Sequence, residues 1–499
     1  MSNVPVLVSQ SERGIPYKWQ AFMCVAIGTF MAVLDGSVVN IALPTITRSF
    51  ATDISAVQWV VTTYLLVIAS CLLFFGRLGD MFGRKHVYVI GFSVFVIGCG
   101  LCSISQGVEQ LVISRAFQGV GAAMMMAISQ AISTGAFPAR ERGKAVGSMA
   151  MIVAAGSTAG PTIGGLLVGA AGWRGAFYLQ VPIGIIGTIM ATLVLRKEAP
   201  ATDERRLDFP GAVALAVTLV TLLLAVGQGE TLGWGSPIIL ALFLVAVIAG
   251  ALFILIEARV SVPLMRLSLL RSRLFAAANF SALLGFMAAS SSTLLVPFYL
   301  QHALGYPPAQ AGVMLIPQPL MIATVAPFSG RLSDRIGSRF LSSLGMAIIC
   351  LGLLSLSTLG SGATYVDVLL RLMVLGLGQG IFQSPNNSAI LGSVPRSQLG
   401  LASSTIATMR NMGMSIGVAI AAAVFASRLG FFAAQEGTSV DAASASSQIS
   451  AFHDAVIVGA LISSIGVVTS LVRGQRVVVG DEEHRPQPTE PSLPAAARR

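Results

Sequence analysis

Long apolar runs recur along the whole chain, separated by short breaks rich in Arg, Lys, Gly and Pro. A helix that crosses a bilayer needs about 20 apolar residues, so each run is a candidate span. The runs fall at 19–42, 57–76, 87–105, 110–135, 143–168, 176–195, 210–227, 237–257, 274–300, 310–329, 340–359, 365–391, 401–427 and 453–472, fourteen in all. Only 10% of the 499 residues are charged, where an average soluble domain carries about 25%. That is too little to coat the domains a soluble chain of this length would form, and mean hydropathy is +0.81. A soluble enzyme, a disordered chain and a single-anchor protein are excluded. The fold class expected is an all-α polytopic membrane protein.

Loop charge tests the count. With the N-terminus in the cytoplasm, 25 of the 31 Lys and Arg fall in inside segments. Arg48, Arg174 and Arg428 lie outside, and Arg115, Arg371 and Arg410 within helices. Every connection from an even to an odd run is basic, from Arg77/Arg84/Lys85 to Arg396. A miscounted run would invert this asymmetry partway along, so both termini are expected to be cytoplasmic. The net charge of +10 is then a record of topology, not a surface for nucleic acid. Cys24, Cys71, Cys99, Cys102 and Cys350 all fall in apolar runs and read as buried free thiols. No cleavable signal is expected, because the first run is too long and lacks a cleavage site.

Residues 76–85 read GRLGDMFGRK and residues 330–339 read GRLSDRIGSR. Pro138, Gly143 and Gly121 recur as Pro395, Gly400 and Gly378. Both members of each pair lie on one membrane side, so the repeats are parallel, as in transporters built from two like halves. Helices 1–6 (19–200) form one six-helix bundle and helices 9–14 (261–475) the other. Helices 7 and 8 (201–260) are an inserted pair. Residues 1–18 form a cytoplasmic N-terminal segment, and 476–499 a charged, Pro/Ala-rich tail with a disordered composition.

LDGSVVNIALP (34–44), GRLGDMFGRK (76–85), LVISRAFQGVGAA (111–123), GSTAGPTIGG (156–165) and GWRGAFYLQVPIG (172–184) occur in that order. Together they resemble the signatures of the major facilitator superfamily and, within it, the fourteen-helix drug:proton antiporter family. Gly36 stands where that family usually has Thr, and Gln180 where it usually has Asn. The resemblance implies a proton-coupled exporter of hydrophobic, cationic or neutral drugs or antibiotics in the bacterial cytoplasmic membrane. It further implies alternating access, a monomer with a small-molecule substrate and the proton as partners, and no cofactor. The loop at Gly76, Asp80, Gly83, Arg84 and Lys85 is implied to be a cytoplasmic latch between the halves. Gly330, Asp334 and Arg339 are its weaker copy.

Asp35 is the one carboxylate clearly inside an apolar run, where a charge costs several kcal/mol and marks a functional site by default. At about 1.5 Å per residue it lies about 24 Å from the inner end of its helix, and Arg115 about 7.5 Å from the outer end of the fourth. They sit at similar depth. Either they form a coupled pair in which Asp35 takes and releases the transported proton, or a permanent ion pair tying two helices together. Arg410 lies near mid-membrane with no acid in its own or the neighbouring helix. It faces the cavity, contacts an anionic substrate group, answers Asp35 in one conformation, or is satisfied by helix carbonyls and water. Arg371, near an end, reads as structural.

Gly156, Gly160, Gly164 and Gly165 recur at about one helical turn, a smooth face for close packing, and Pro161 permits a bend. Gly376, Gly378 and Gly380 read as packing glycines. Candidate lining near mid-membrane is Phe30, Met31, Met125, Phe286, Met287, Gln318, Met321, Phe382 and Gln383, surfaces that suit varied hydrophobic ligands. No GxxxxGK[ST] loop occurs, so an ion gradient rather than ATP is the expected drive. Export of a single metabolite or lipid, or uptake, is the alternative within transport. A sensor lacks an output domain here, a channel would not depend on Asp35, and the four dispersed His residues do not suggest a membrane enzyme or a metal site.

Overall fold

The computed structural model describes residues 16–473 except 139–140, 198–207, 261–262, 264–266, 395–398, 439 and 441–442. The expected N-terminal segment (up to residue 15), the tail from 474 and the side chain of Asp334 lie outside the described residues. Among the described residues fifteen α-helices follow one another. They are α1 (Tyr17–Phe50), α2 (Ile54–Phe82), α3 (Arg84–Ser103), α4 (Val108–Ala136), α5 (Arg142–Tyr178), α6 (Gln180–Val194), α7 (Phe209–Leu232) and α8 (Pro237–Arg259). After them come α9 (Arg273–Phe298), α10 (Pro308–Met314), α11 (Pro317–Ile336), α12 (Ser338–Leu356), α13 (Tyr365–Leu391), α14 (Leu399–Gln435) and α15 (Ala445–Leu471).

Among the described residues, 13 helical stretches are long and apolar enough to cross a membrane. One of them, Met151–Val194, crosses twice. Gly156, Gly160 and Gly164 climb along Val33, Ser37 and Ile41 of α1, so α5 runs parallel to α1. At Gly172 the backbone takes φ 68°, open to glycine but strained for other residues. Beyond it the chain descends antiparallel to α3: Gly184 meets Val96, Gly187 meets Phe92, and Lys85 Nζ donates to the Thr192 carbonyl at 2.6 Å. Fourteen crossings result.

The tenth run is broken where the sequence reading made it continuous. It is α10, a short turn at Leu315–Ile316, then α11. Pro317, which has no N–H to continue the ladder, opens the second piece. The ninth ends in a π-helical turn, Tyr299–Ala303, just beyond Pro297.

The two halves repeat one another in packing. α3 lies on α4 as α12 lies on α13, α2 on α4 as α11 on α13, α1 on α5 as α9 on α14, and α3 on α6 as α12 on α15. The repeat reaches single residues. Gly83 (φ 92°) is the one-residue hinge between α2 and α3, and Gly337 (φ 90°) is the same hinge between α11 and α12. Gly121 presses on the α3 backbone at Phe95, as Gly378 presses on α12 at Ile349, leaving no room for a Cβ. The triplet Gly376, Gly378 and Gly380 is therefore a packing surface.

Between the halves, α2 meets α14 and α5 meets α10. The inserted α7 lies across the first of these seams: Leu215, Leu219 and Leu223 pack with Leu66 and Ala69 of α2 and Ala419 of α14. α8 packs on α7 and leaves Leu240, Leu244, Val247 and Leu252 exposed on its outer face, a surface suited to lipid. We call the end bearing the Arg/Lys-rich connections the basic side and the opposite end the far side.

Candidate functional site

Five spans of the first half converge on Asp35. The 34-residue α1 carries it to a depth where it has no exposed surface. α4 brings Arg115, also fully buried, and Arg115 Nη1 donates to Asp35 Oδ2 at 2.5 Å. The second Nη1 hydrogen goes to Gln118 Oε1 at 2.6 Å, and Nε donates to the Val60 carbonyl of α2 at 3.0 Å. Nη2 has no hydrogen-bond acceptor. The guanidinium instead lies over the Tyr64 ring, 4.0 Å from its centroid, a cation–π contact.

The other carboxylate oxygen is as fully engaged. Gln118 Nε2 and Gln180 Nε2 each donate to Asp35 Oδ1 at 3.0 Å. Gln180 is anchored by a second bond to the Ala176 carbonyl of its own helical turn at 3.1 Å. Cys99 and Cys102 of α3 close the shell with their thiols against the two glutamines. The carboxylate thus accepts three N–H hydrogen bonds, two on Oδ1 and one on Oδ2, from three side chains on two helices.

Gln118 was absent from the sequence reading. Its signal was present: it lies three residues after Arg115, hence on the same helix face. Gln180 was visible only as a departure from the usual Asn; its longer side chain is what spans from α6 to Asp35.

The candidate lining divides. Met31 and Met125 are buried in first-half packing, Met31 against Gly184 and Met125 against Gly28. In this conformation both side chains are enclosed by helix packing. Phe30 is half-buried and packs against the small core of Leu34, Val38 and Ala176. In the second half, Phe286, Phe382 and Gln383 border a void of about 10 Å³ together with Gln379. Gln318 Nε2 donates to Gln379 Oε1 at 3.2 Å. Met287 lies under Gly417 of α14. Met321 borders a different, apolar crevice of about 250 Å³ between α10–α11 and α13. Arg371 bonds the Ser355 carbonyl and Asp367, a structural placement.

At the basic side, Asp80 accepts from Arg84 Nη2 at 3.2 Å, and Lys85 is tied to α6 as above. Both contacts lie within the first half. Gly76 and Gly330 are the packing points of the two copies, against Ala127 and Ser384 respectively. Arg339 is exposed.

The glycine helix α5 has two faces. Gly156, Gly160 and Gly164 seat it on α1, while Gly165 and the Pro161 carbonyl meet Pro308, Ala309 and Gly312 of α10 in the other half. Further far-side contacts join the halves. Gln301 Nε2 donates to the Ile41 carbonyl at 3.0 Å, Arg48 Nη2 to the Gln301 carbonyl at 3.0 Å, and Ser415 Oγ to the Thr62 carbonyl at 3.2 Å.

Residues 25–418 match the sequence profile of the Major Facilitator Superfamily. A riboflavin transporter, RibZ of Clostridioides difficile, is 36% identical over 413 residues, covering 83% of this chain and 89% of its own. The multidrug resistance protein Stp of Mycobacterium tuberculosis is 35% identical over 408 residues, covering 82% of this chain and 76% of its own. Among solved structures, a bacterial homologue of the human lysosomal transporter Spinster, inward-facing and unoccupied, superposes with a TM-score of 0.67 at 14% identity, over 92% of this chain and 97% of that one. That likeness concerns the fold.

Proposed function

The chain belongs to the Major Facilitator Superfamily, and from that premise we propose that it is a proton-coupled antiporter exporting hydrophobic small molecules, drugs or antibiotics among them, by alternating access. It is a multi-pass membrane transporter, not an enzyme. The observation that carries the reading is the buried Asp35–Arg115 pair with its two glutamines. A charge pair removed from water costs free energy unless it is fully hydrogen-bonded, and a carboxylate that can lose one donor has two stable states. In the state open to the outside, Arg115 withdraws and Asp35 takes a proton. In the state open to the cytoplasm, substrate enters and the proton leaves as Arg115 returns. The far-side contacts support a resting state closed to that side, and the basic loops support a cytoplasmic basic side with both termini there. One proton moving down a 100 mV potential supplies about 2.3 kcal/mol.

The test is export in proteoliposomes by Asp35→Asn under an imposed proton gradient. Gradient-driven accumulation should vanish while exchange at equal concentrations persists; undiminished accumulation overturns the reading. A second reading, a carrier dedicated to one metabolite, rests on the likeness to RibZ. Competition of riboflavin against unrelated hydrophobic compounds separates the two.

A further inference from the structure

Of the three arginines that fall within the apolar runs, two meet a carboxylate: Arg115 meets Asp35 and Arg371 meets Asp367. Among the described residues Arg410 has no hydrogen-bond or ion-pair partner. It stands eleven residues along α14 from Leu399, about 16 Å from the basic end and so near mid-membrane. An uncompensated guanidinium at that depth is costly, yet Arg410 is only half-buried. Its stretch of α14 is held between the halves, with Gly413 against Leu283 of α9 and Ser415 bonded to the Thr62 carbonyl of α2.

The charge pattern around Arg410 is one-sided. Residues 273–333 and 368–435 contain no Asp or Glu. Across α9, α10, α11 up to Ser333, most of α13 and all of α14, a cationic substrate would therefore find no carboxylate, and Asp35 is paired with Arg115 in the first half. What the second half offers near Arg410 is different. Gly413, one turn along α14, packs on Phe286, and Phe286 shares its void with Gln379 and Gln383. The Gln383 amide, like Arg410, is without a hydrogen-bond partner among the described residues. A cation, a free amide and an aromatic face are what an acidic group on an aromatic body requires.

We propose that Arg410 is the anion-binding residue of the substrate cavity and that the protein prefers hydrophobic substrates carrying one carboxylate. This deepens the exporter reading on which it rests, and it replaces the expectation of cationic or neutral cargo. Binding to the purified full-length protein in detergent tests it without any gradient. The probes are 1-pyrenebutyrate, its methyl ester and 1-pyrenebutylamine, followed by pyrene fluorescence. The carboxylate should bind at least about tenfold more tightly than the ester and the amine. Arg410→Gln should erase that preference, and Arg410→Lys should keep part of it. Equal binding of carboxylate and ester by the unaltered protein, no carboxylate binding, or a preference that survives Arg410→Gln overturns the proposal. Should Arg410→Gln fail to fold, the unaltered protein and Arg410→Lys still decide. If the preference holds while gradient-driven transport fails, the antiport reading falls and the anion site stands.

Discussion

Arg115 and Asp35 come from different helices, 80 residues apart in sequence, and meet at 2.5 Å with neither side chain exposed. Their environment makes the pair unforgiving. Asp35 is hydrogen-bonded by Arg115, Gln118 and Gln180, and Arg115 by Asp35, Gln118 and the Val60 carbonyl. Arg115→Met or Asp35→Leu alone should cost about 3–5 kcal/mol, because each leaves a buried charge without its partner. The double substitution should cost much less than the sum. Thermal unfolding of the purified variants measures this; additive losses would mean that the two residues are not energetically coupled.

Gly165 and Gly312 form the tightest seam between the halves, with backbone from one pressed against backbone of the other. A side chain there holds the far side open, at a cost to the closed state of about 1–3 kcal/mol. Gly312→Val should therefore raise far-side labelling of a cysteine placed at Thr45 by an impermeant maleimide, in a background with the five native cysteines replaced. Unchanged labelling would show that the seam does not limit opening.

Arg48 Nε donates to His302 Nε2 at 3.3 Å across the halves, which requires a neutral imidazole. Arg48 is the charged group facing that ring. Protonation removes the acceptor and sets two cations together, and burial and Arg48 both disfavour it, so this contact weakens only as pH falls below the ordinary histidine value of about 6.5. Spin labels at Thr47 and Ala303 should move apart on acidification, and His302→Gln should flatten the response. An identical pH response in that variant would assign the movement to another group.

Glu436, on the far side, accepts from the Ser444 hydroxyl and amide and from Ser447 Oγ at the start of α15. Those hydrogen bonds, Ser444 first, hold its carboxyl below the usual glutamate range. The carboxylate form is the one bonded, so the cap is complete above the ordinary glutamate pKa and is lost only as pH falls through the lower folded value. Hydrogen exchange of the Ser447 and Gln448 amides should stay slow at pH 4.5 and quicken below it. Loss of protection already at pH 6 would contradict this assignment.

Much of this was legible in one dimension. Span lengths follow from bilayer thickness, and the basic loops follow from the bias against carrying Arg and Lys across the membrane. The parallel repeat was readable because Gly83 and Gly337 must adopt the same positive φ, and Gly121 and Gly378 must admit a neighbouring backbone. Asp35 and Arg115 stood out because charge is scarce where water is absent. The break at Pro317 was less legible, since hydropathy alone does not distinguish one helix from two end to end.

Sequence by itself determined which residues lie in the membrane, in what order they cross, and which charges are too costly to be there without a role. Only the tertiary structure decided how those charges are answered. Arg115 and Arg410 look alike in sequence, each a lone arginine in an apolar helix. Arg115 is enclosed by a carboxylate, two carbonyl oxygens and a tyrosine face drawn from helices far apart in the chain. Arg410 meets no carboxylate among the described residues. Hydropathy is a property of one helix, whereas neutralising a buried ion depends on which helices pack beside it.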